Sequence, residues 1–125
     1  MQRITAGRYK AVRQSRDEKS LVLEPSEGGA ARLPDRLSTG EREQMFLALR
    51  LAFVTHYCAT AEPLPIVLDD VLVNFDERRA ATTLQALADV SATTQVLFFT
   101  CHKDLRDLAV QTVPEAAQWN IPALE

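Results

Sequence analysis

The sequence has no apolar run approaching the roughly 20 residues that a bilayer-spanning helix needs. Its amino terminus also lacks the apolar stretch of a secretion signal. There are only two cysteines, Cys58 and Cys101, in apolar surroundings and without metal-type spacing. That argues against a disulfide framework and makes a reducing cytoplasm the expected compartment. Neither sign of charge dominates: the net charge of −3 gives no global attraction to nucleic acid or to anionic membranes. No internal repeat or low-complexity tract is present. Nor is there a glycine-rich loop ending in Lys-Ser/Thr, which excludes the usual self-contained grip on a triphosphate.

What is there has the make-up of one ordinary globular domain: 125 residues, 46% hydrophobic and 25% charged. Its charge is unevenly placed. Arg3, Arg8, Lys10, Arg13 and Arg16 all precede the first acid, Asp17. A solvated hairpin face accounts for this pattern; a DNA-facing patch is the alternative. Only Tyr9 lies among these residues to stack on a base.

Residues 8–13 and 20–24 read as two short strands joined by the polar connector Ser15-Arg16-Asp17-Glu18-Lys19. Pro25-Ser26-Glu27-Gly28-Gly29 is a second turn, and a third short strand is expected to include Ala31 to Leu33, giving an antiparallel meander. A long helix follows, with Ser38 as N-cap and Glu41 completing a capping box. Met45, Phe46, Leu49, Ala52 and Phe53 supply its expected core stripe, with Glu41, Arg42 and Arg50 on the wetter side. The helix should fade between His56 and Thr60, and Pro63 and Pro65 forbid its continuation.

Ile66 to Leu68 reads as a strand buried on both faces. Asp76 is placed to cap a second helix, Glu77 to about Val90, with Leu84, Leu87 and Ala88 inward. Gln95 to Thr100 is another apolar strand, and His102 opens a third helix reaching about Val110. Strand–helix–strand–helix order with apolar strands implies parallel pairing through right-handed crossovers. The tail from Thr112, with Pro114, Trp119 and Pro122, is expected to form a further short strand or an irregular docked segment.

Three places carry chemistry. The start of the first helix offers unpaired N–H groups and the positive end of its dipole; Gly40 leaves room for close approach and Ser38 adds a hydroxyl, so an anion could sit there. A capping box alone explains Ser38 and Glu41 equally well. Asp69 and Asp70 end a buried strand, at the sheet edge where ligands bind in parallel α/β folds. There Asp69 would orient a hydrated Mg²⁺ and Asp70 would polarise a water, the two carboxylates pointing in roughly opposite directions. A solvated strand end with an Asx turn is the plainer alternative. His102 follows the second apolar strand and could reach a phosphate oxygen or a water. Cys101 beside it supplies only one Cys–His pair, too few ligands for a structural zinc site. His56 is assigned no role.

The order of these features carries a resemblance. Leu37-Ser38-Thr39-Gly40-Glu41 resembles the signature motif of ABC-type ATPases, with Thr39 where glycine is usual and Glu41 where glutamine is usual. Ile66-Val67-Leu68-Asp69-Asp70 resembles the Walker B strand, Asn74-Phe75-Asp76 the D-loop, and Phe99-Thr100-Cys101-His102 the switch-histidine strand. Over roughly residues 3–110 the chain is similar to the carboxyl-terminal lobe of SMC/SbcC/RecF-type heads, and within that class to the YhaN-like group of coiled-coil ATPases.

The resemblance implies an α/β fold: a short antiparallel meander (1–36) after a coiled coil, a β/α lobe with a parallel sheet (37–111), and a tail (112–125). This is the carboxyl-terminal half of a P-loop NTPase head. It implies ATP and Mg²⁺ as cofactors, with Asp69 holding Mg²⁺ through water and Asp70 standing where a catalytic glutamate is usual. His102 would touch the γ-phosphate on its own head. Ser38, Thr39, Gly40 and Glu41 would contact the nucleotide of an opposing head, and Asn74 and Asp76 would line the interface. Implied partners are an amino-terminal lobe bearing the Walker A loop, a second head, and beyond them DNA and a nuclease. Alone, the chain is expected to bind ATP weakly or not at all. The alternative expectation is a non-catalytic lobe that serves only as a dimerisation or interaction module.

Overall fold

The computed structural model describes residues 4–5, 7–15 and 20–122. Arg3, Arg16 and the rest of the 16–19 connector lie outside them. Two strands, β1 (Tyr9–Gln14) and β2 (Leu21–Pro25), pair antiparallel, with Tyr9 opposite Pro25 and Gln14 opposite Leu21. The register shifts between Tyr9 and Ala11. Such a bulge bends a strand and re-aims its side chains. The expected third strand is reduced to one antiparallel bridge, Leu23 to Arg32, with N–H···O distances of 2.8 and 2.9 Å. Pro34 then sets a short 3₁₀ turn, Pro34–Arg36, whose fixed φ favours helical entry.

The long helix, α1 (Thr39–Cys58), begins as expected. The Glu41 amide donates to the Ser38 hydroxyl and the Glu41 carboxylate accepts from the Ser38 amide. Its buried face differs from the expected stripe. Met45 is buried and Leu49 partly so, but Phe46, Ala52 and Phe53 face outward. The inward residues are Gly40, Glu41, Gln44, Met45, Leu47, Ala48 and Leu51. Glu41 thus lies inside rather than on the wetter side. The cause is that α1 is covered by two different layers. Met45 packs on the hairpin residues Tyr9 and Leu23 and on Leu37. Leu47, Ala48 and Leu51 pack on the second half of the chain. Gln44 fits between because its side-chain amide donates to the Ile4 carbonyl at 2.8 Å, which satisfies the buried donor.

The second half is a β/α unit. Strands β3 (Ile66–Asp69) and β4 (Val96–Phe99) pair in parallel, Ile66 opposite Val96 and Asp69 opposite Phe99. Helix α2 (Glu77–Ser91) connects them, and α3 (Lys103–Thr112) follows β4. Leu68 with Leu72, Phe75, Ala80, Leu84, Ala86 and Leu87 forms the core, backed by Ile66, Val96 and Phe98.

Successive strand residues alternate between faces. Ile66, Leu68, Val96 and Phe98 therefore line the core side, and Val67, Asp69, Leu97 and Phe99 the other. That other face is open, with Val67 62% exposed, so the strands are not buried on both sides as expected. The described tail forms no strand, and only Val113 of it packs on the core; after a turn at 114–116, residues 117–122 have no regular structure and are exposed, with Trp119 87% exposed.

Candidate functional site

The carboxyl ends of β3 and β4 meet because their register puts Asp69 beside Phe99, which brings the following residues, Asp70 and Thr100, side by side. The Asp70 amide extends the ladder by donating to the Phe99 carbonyl at 3.0 Å. The chain then turns sharply, with Asp70 in the left-handed region at φ 49°. Asp and Asn enter that region more readily than other residues that bear a β-carbon.

The Asp70 carboxylate is held by the residues after β4. The Thr100 hydroxyl donates to its Oδ1 at 2.7 Å and the Cys101 amide donates to the same oxygen at 3.3 Å. The Cys101 thiol donates to Oδ2 at 3.3 Å, and His102 Nε2 lies 4.0 Å from Oδ2. The Thr100 oxygen in turn accepts from the His102 amide at 3.1 Å, which fixes the backbone that carries the imidazole. His102 is the N-cap of α3 through its backbone, without a side-chain cap bond. Donation by Thr100, then by the Cys101 thiol, holds the Asp70 carboxyl below its ordinary range. The hydrogen bond to Asp70, followed by desolvation and the carboxylate charges of Asp70 and Asp69, pushes the Cys101 thiol up.

Asp69 differs from its neighbour. It ends β3 on the open face, is exposed, and its carboxylate has no hydrogen-bond or ion-pair partner among the described residues. The structure therefore brings Asp70 and His102 together, with Asp69 one residue away along the same rim.

The turn opening α1 forms a separate group. Ser38 and Thr39 are exposed and Gly40 is buried. The Ser38 hydroxyl donates to Glu41 Oε2 at 3.0 Å. Glu41 is pinned further by the Tyr9 hydroxyl at 3.1 Å and by the Arg8 guanidinium at 2.9 Å. Burial alone would raise the Glu41 carboxyl, but the Ser38 amide and hydroxyl, Tyr9 and Arg8 together hold it below its usual range. The Thr39 and Gly40 amides have no acceptor among the described residues, as is normal for a helix start.

Behind this turn sits the loop that follows β3. The Asn74 side-chain amide donates to Glu43 at 2.8 Å, and Leu72 and Phe75 anchor the loop in the core. Burying each such side chain is worth about 1.5–3 kcal/mol. Asp76 caps α2 by accepting from the Arg79 amide at 2.9 Å and pairs with the Arg79 side chain at 3.0 Å.

Two sets of partners escaped the sequence reading. Thr100 and Cys101 as donors to Asp70 follow from the β3–β4 register, which only strand pairing reveals. Tyr9 and Arg8 as partners of Glu41 lie about 30 residues upstream, and no local pattern marks them. The basic residues of the hairpin are also less free than their sequence suggests. Lys10 and Arg13 both pair with Glu24, each at 2.7 Å, and Arg8 pairs with Glu41.

No family model matches the chain. The uncharacterised protein YhaN of Bacillus subtilis (strain 168) is 32% identical over 105 residues, which is 83% of this chain and 11% of YhaN. The chain thus spans about a tenth of that relative. Among solved structures, an SMC ATPase studied for ATP-driven dimerisation and DNA-stimulated activation superposes with a TM-score of 0.64, covering 85% of this chain and 67% of that one, at 16% identity. At that identity the likeness speaks for the fold. Among the described residues no helix is long and apolar enough to cross a membrane. The chain is similar to YhaN along most of its own length and carries the mixed α/β fold of the SMC ATPase head.

Proposed function

We propose that this chain forms the carboxyl-terminal half of an ATP-hydrolysing head, completed by a lobe that carries the Walker A loop. The reading rests above all on the carboxylate and imidazole of Asp70 and His102, 4.0 Å apart at the ends of two parallel strands. Bound ATP with Mg²⁺ would supply the phosphoryl group and the charge that neutralises it.

The residues present suit that pair in part. Asp69, an exposed carboxylate with no side-chain partner among the described residues, suits a hard cation held through water. Asp70, kept ionised below its usual range, is a weak base. Its role is to orient and polarise a water through Oδ2, whose one hydrogen bond among the described residues comes from the weakly donating thiol, with His102 Nε2 4.0 Å away. His102 would meet the γ-phosphate on its own head. Ser38, with the Thr39 and Gly40 amides, would meet the phosphate on a facing head, while Glu41 would keep the Ser38 hydroxyl in position. Asn74 and Asp76 would line the interface between the two heads.

The open side of the β3–β4 sheet supports the need for a second lobe. Val67, Leu97 and Phe99 lie on the same face as Asp69 and are all exposed. On α1, Phe46, Phe53 and Tyr57 form another exposed stripe at helical spacing. An apolar sheet face of this kind is normally covered. Head closure and release would then serve DNA repair or chromosome maintenance, with DNA and a nuclease as partners. Pairing of Lys10, Arg13 and Arg8 with acids argues against the hairpin as the DNA contact.

A second reading, a lobe that dimerises without hydrolysis, is favoured by the missing glycine-rich loop. One experiment separates the two. The chain is mixed with a Walker A lobe of the same kind, and association and phosphate release are measured. Hydrolysis that falls about 10²-fold or more in Asp70→Asn supports the first reading. Association without hydrolysis supports the second, and neither association nor hydrolysis sinks both.

A further inference from the structure

Asp70, Cys101 and His102 offer three different ligand chemistries in one small volume. A carboxylate oxygen, the thiol sulfur and an imidazole nitrogen all lie within 4.8 Å of one another. Asp70 Oδ2 is 3.3 Å from Cys101 Sγ and 4.0 Å from His102 Nε2. In a tetrahedral zinc site, metal–ligand lengths of about 2.0–2.3 Å place neighbouring ligand atoms roughly 3.3–3.6 Å apart. The sulfur–oxygen distance is already at that spacing, and the nitrogen–oxygen distance exceeds it only slightly. His102 is half exposed, so its ring can turn the remaining way. Asp70 is held from behind as metal-binding carboxylates usually are: Thr100 and the Cys101 amide occupy Oδ1 and leave Oδ2 facing the thiol.

We propose that Asp70 Oδ2, Cys101 Sγ and His102 Nε2 bind a thiophilic divalent cation, Zn²⁺ in the first instance, with water at the fourth position. The donor set decides the metal. Thiolate and imidazole favour zinc over magnesium, which takes oxygen ligands almost exclusively. This site is therefore chemically distinct from the hydrated Mg²⁺ proposed at Asp69. Binding replaces the S–H···Oδ2 hydrogen bond by coordination of both atoms to the metal. The thiol proton leaves to solvent and no electron is transferred. If Asp70 and His102 act as proposed above, an occupied site withdraws both from the nucleotide and stops hydrolysis. That consequence alone rests on the ATPase reading; the metal site does not.

The full chain is titrated with Co²⁺, a spectroscopic stand-in for Zn²⁺, while thiolate-to-cobalt absorption in the near ultraviolet is followed. The expected result is saturation at one equivalent, with the band displaced by one equivalent of Zn²⁺. The band should persist in Cys58→Ser and vanish in Cys101→Ser. Cys101 and His102 are both exposed, so their replacement spares the core. His102→Ala and Asp70→Asn should each weaken Zn²⁺ binding at least tenfold. Absence of the band in the unaltered chain, its persistence in Cys101→Ser, or unchanged affinity in either of the other variants overturns the proposal. None of these readouts depends on ATP hydrolysis, so a failed metal site and a failed ATPase reading remain distinguishable.

Discussion

Gly40 lies against the backbone of Asn74 so closely that a β-carbon at Gly40 would stand 2.9 Å from the Asn74 carbonyl oxygen and 3.1 Å from an Arg79 nitrogen. The turn that opens α1 and the loop that follows β3 are therefore in direct contact. The absent side chain at position 40 is what lets them meet. Gly40→Ala sets two effects against each other. Helix propensity gains at most about 1 kcal/mol, while overpacking against a backbone oxygen costs about 1–3 kcal/mol. The expected outcome in urea denaturation is a net loss of stability; an unchanged or raised midpoint would show that the loop yields freely.

Tyr9→Phe removes the hydroxyl that donates to Glu41 at 3.1 Å while leaving the ring packed on Leu23 and Met45. Hydrogen bonds to charged groups are worth about 1.5–3 kcal/mol, so denaturation should show a loss of that order. Burial, then the neighbouring Glu41 carboxylate, pushes the Tyr9 phenol above its ordinary value of 10.0. Alkaline absorbance titration should accordingly lose its late-ionising tyrosine in this variant.

Acid should weaken the fold at both sites described above. Asp70 and Glu41 ionise below their ordinary values of 3.8 and 4.5. In that range the unfolded chain binds more protons than the folded one. Their contribution is complete above the ordinary values and drains away as pH drops through the depressed ones. Melting temperature followed from pH 7 to pH 3 should decline, and Asp70→Asn and Glu41→Gln should each flatten part of that decline. A parallel decline in both variants would refute the linkage.

The open face of β3 and β4 should make the isolated chain self-associate. Sedimentation at rising concentration tests this directly. Replacing Val67 and Leu97 by Thr should restore a monomer, because threonine keeps strand preference while lowering exposed apolar area. The same double variant should bind a Walker A lobe more weakly. If both chains sediment alike and bind alike, the face is not a docking surface.

Much of the architecture could be read from the residues. Ser38 with Glu41 and Asp76 with its helix marked two starts, Pro63 and Pro65 marked an end, and Leu84 with Leu87 fixed the inner side of α2. The face of α1 could not be read, since periodicity assumes one apolar neighbour and α1 has two. That is why Phe46 and Phe53 face outward while Glu41 and Gln44 are buried. At the rim, Asp69, Asp70 and His102 stood out as chemistry-bearing residues. The grip of Thr100 and Cys101 on Asp70 did not, because it arises only when Asp69 and Phe99 come into register. The link from Tyr9 and Arg8 to Glu41 likewise depends on how the hairpin folds back over α1.

Trp119 is the single tryptophan of the chain, and the fold leaves its indole in water. Intrinsic fluorescence will therefore be nearly blind to melting of the core, since the fluorophore's surroundings scarcely change when the strands and helices come apart. The same indole becomes a sensitive optical sensor the moment another molecule covers the tail.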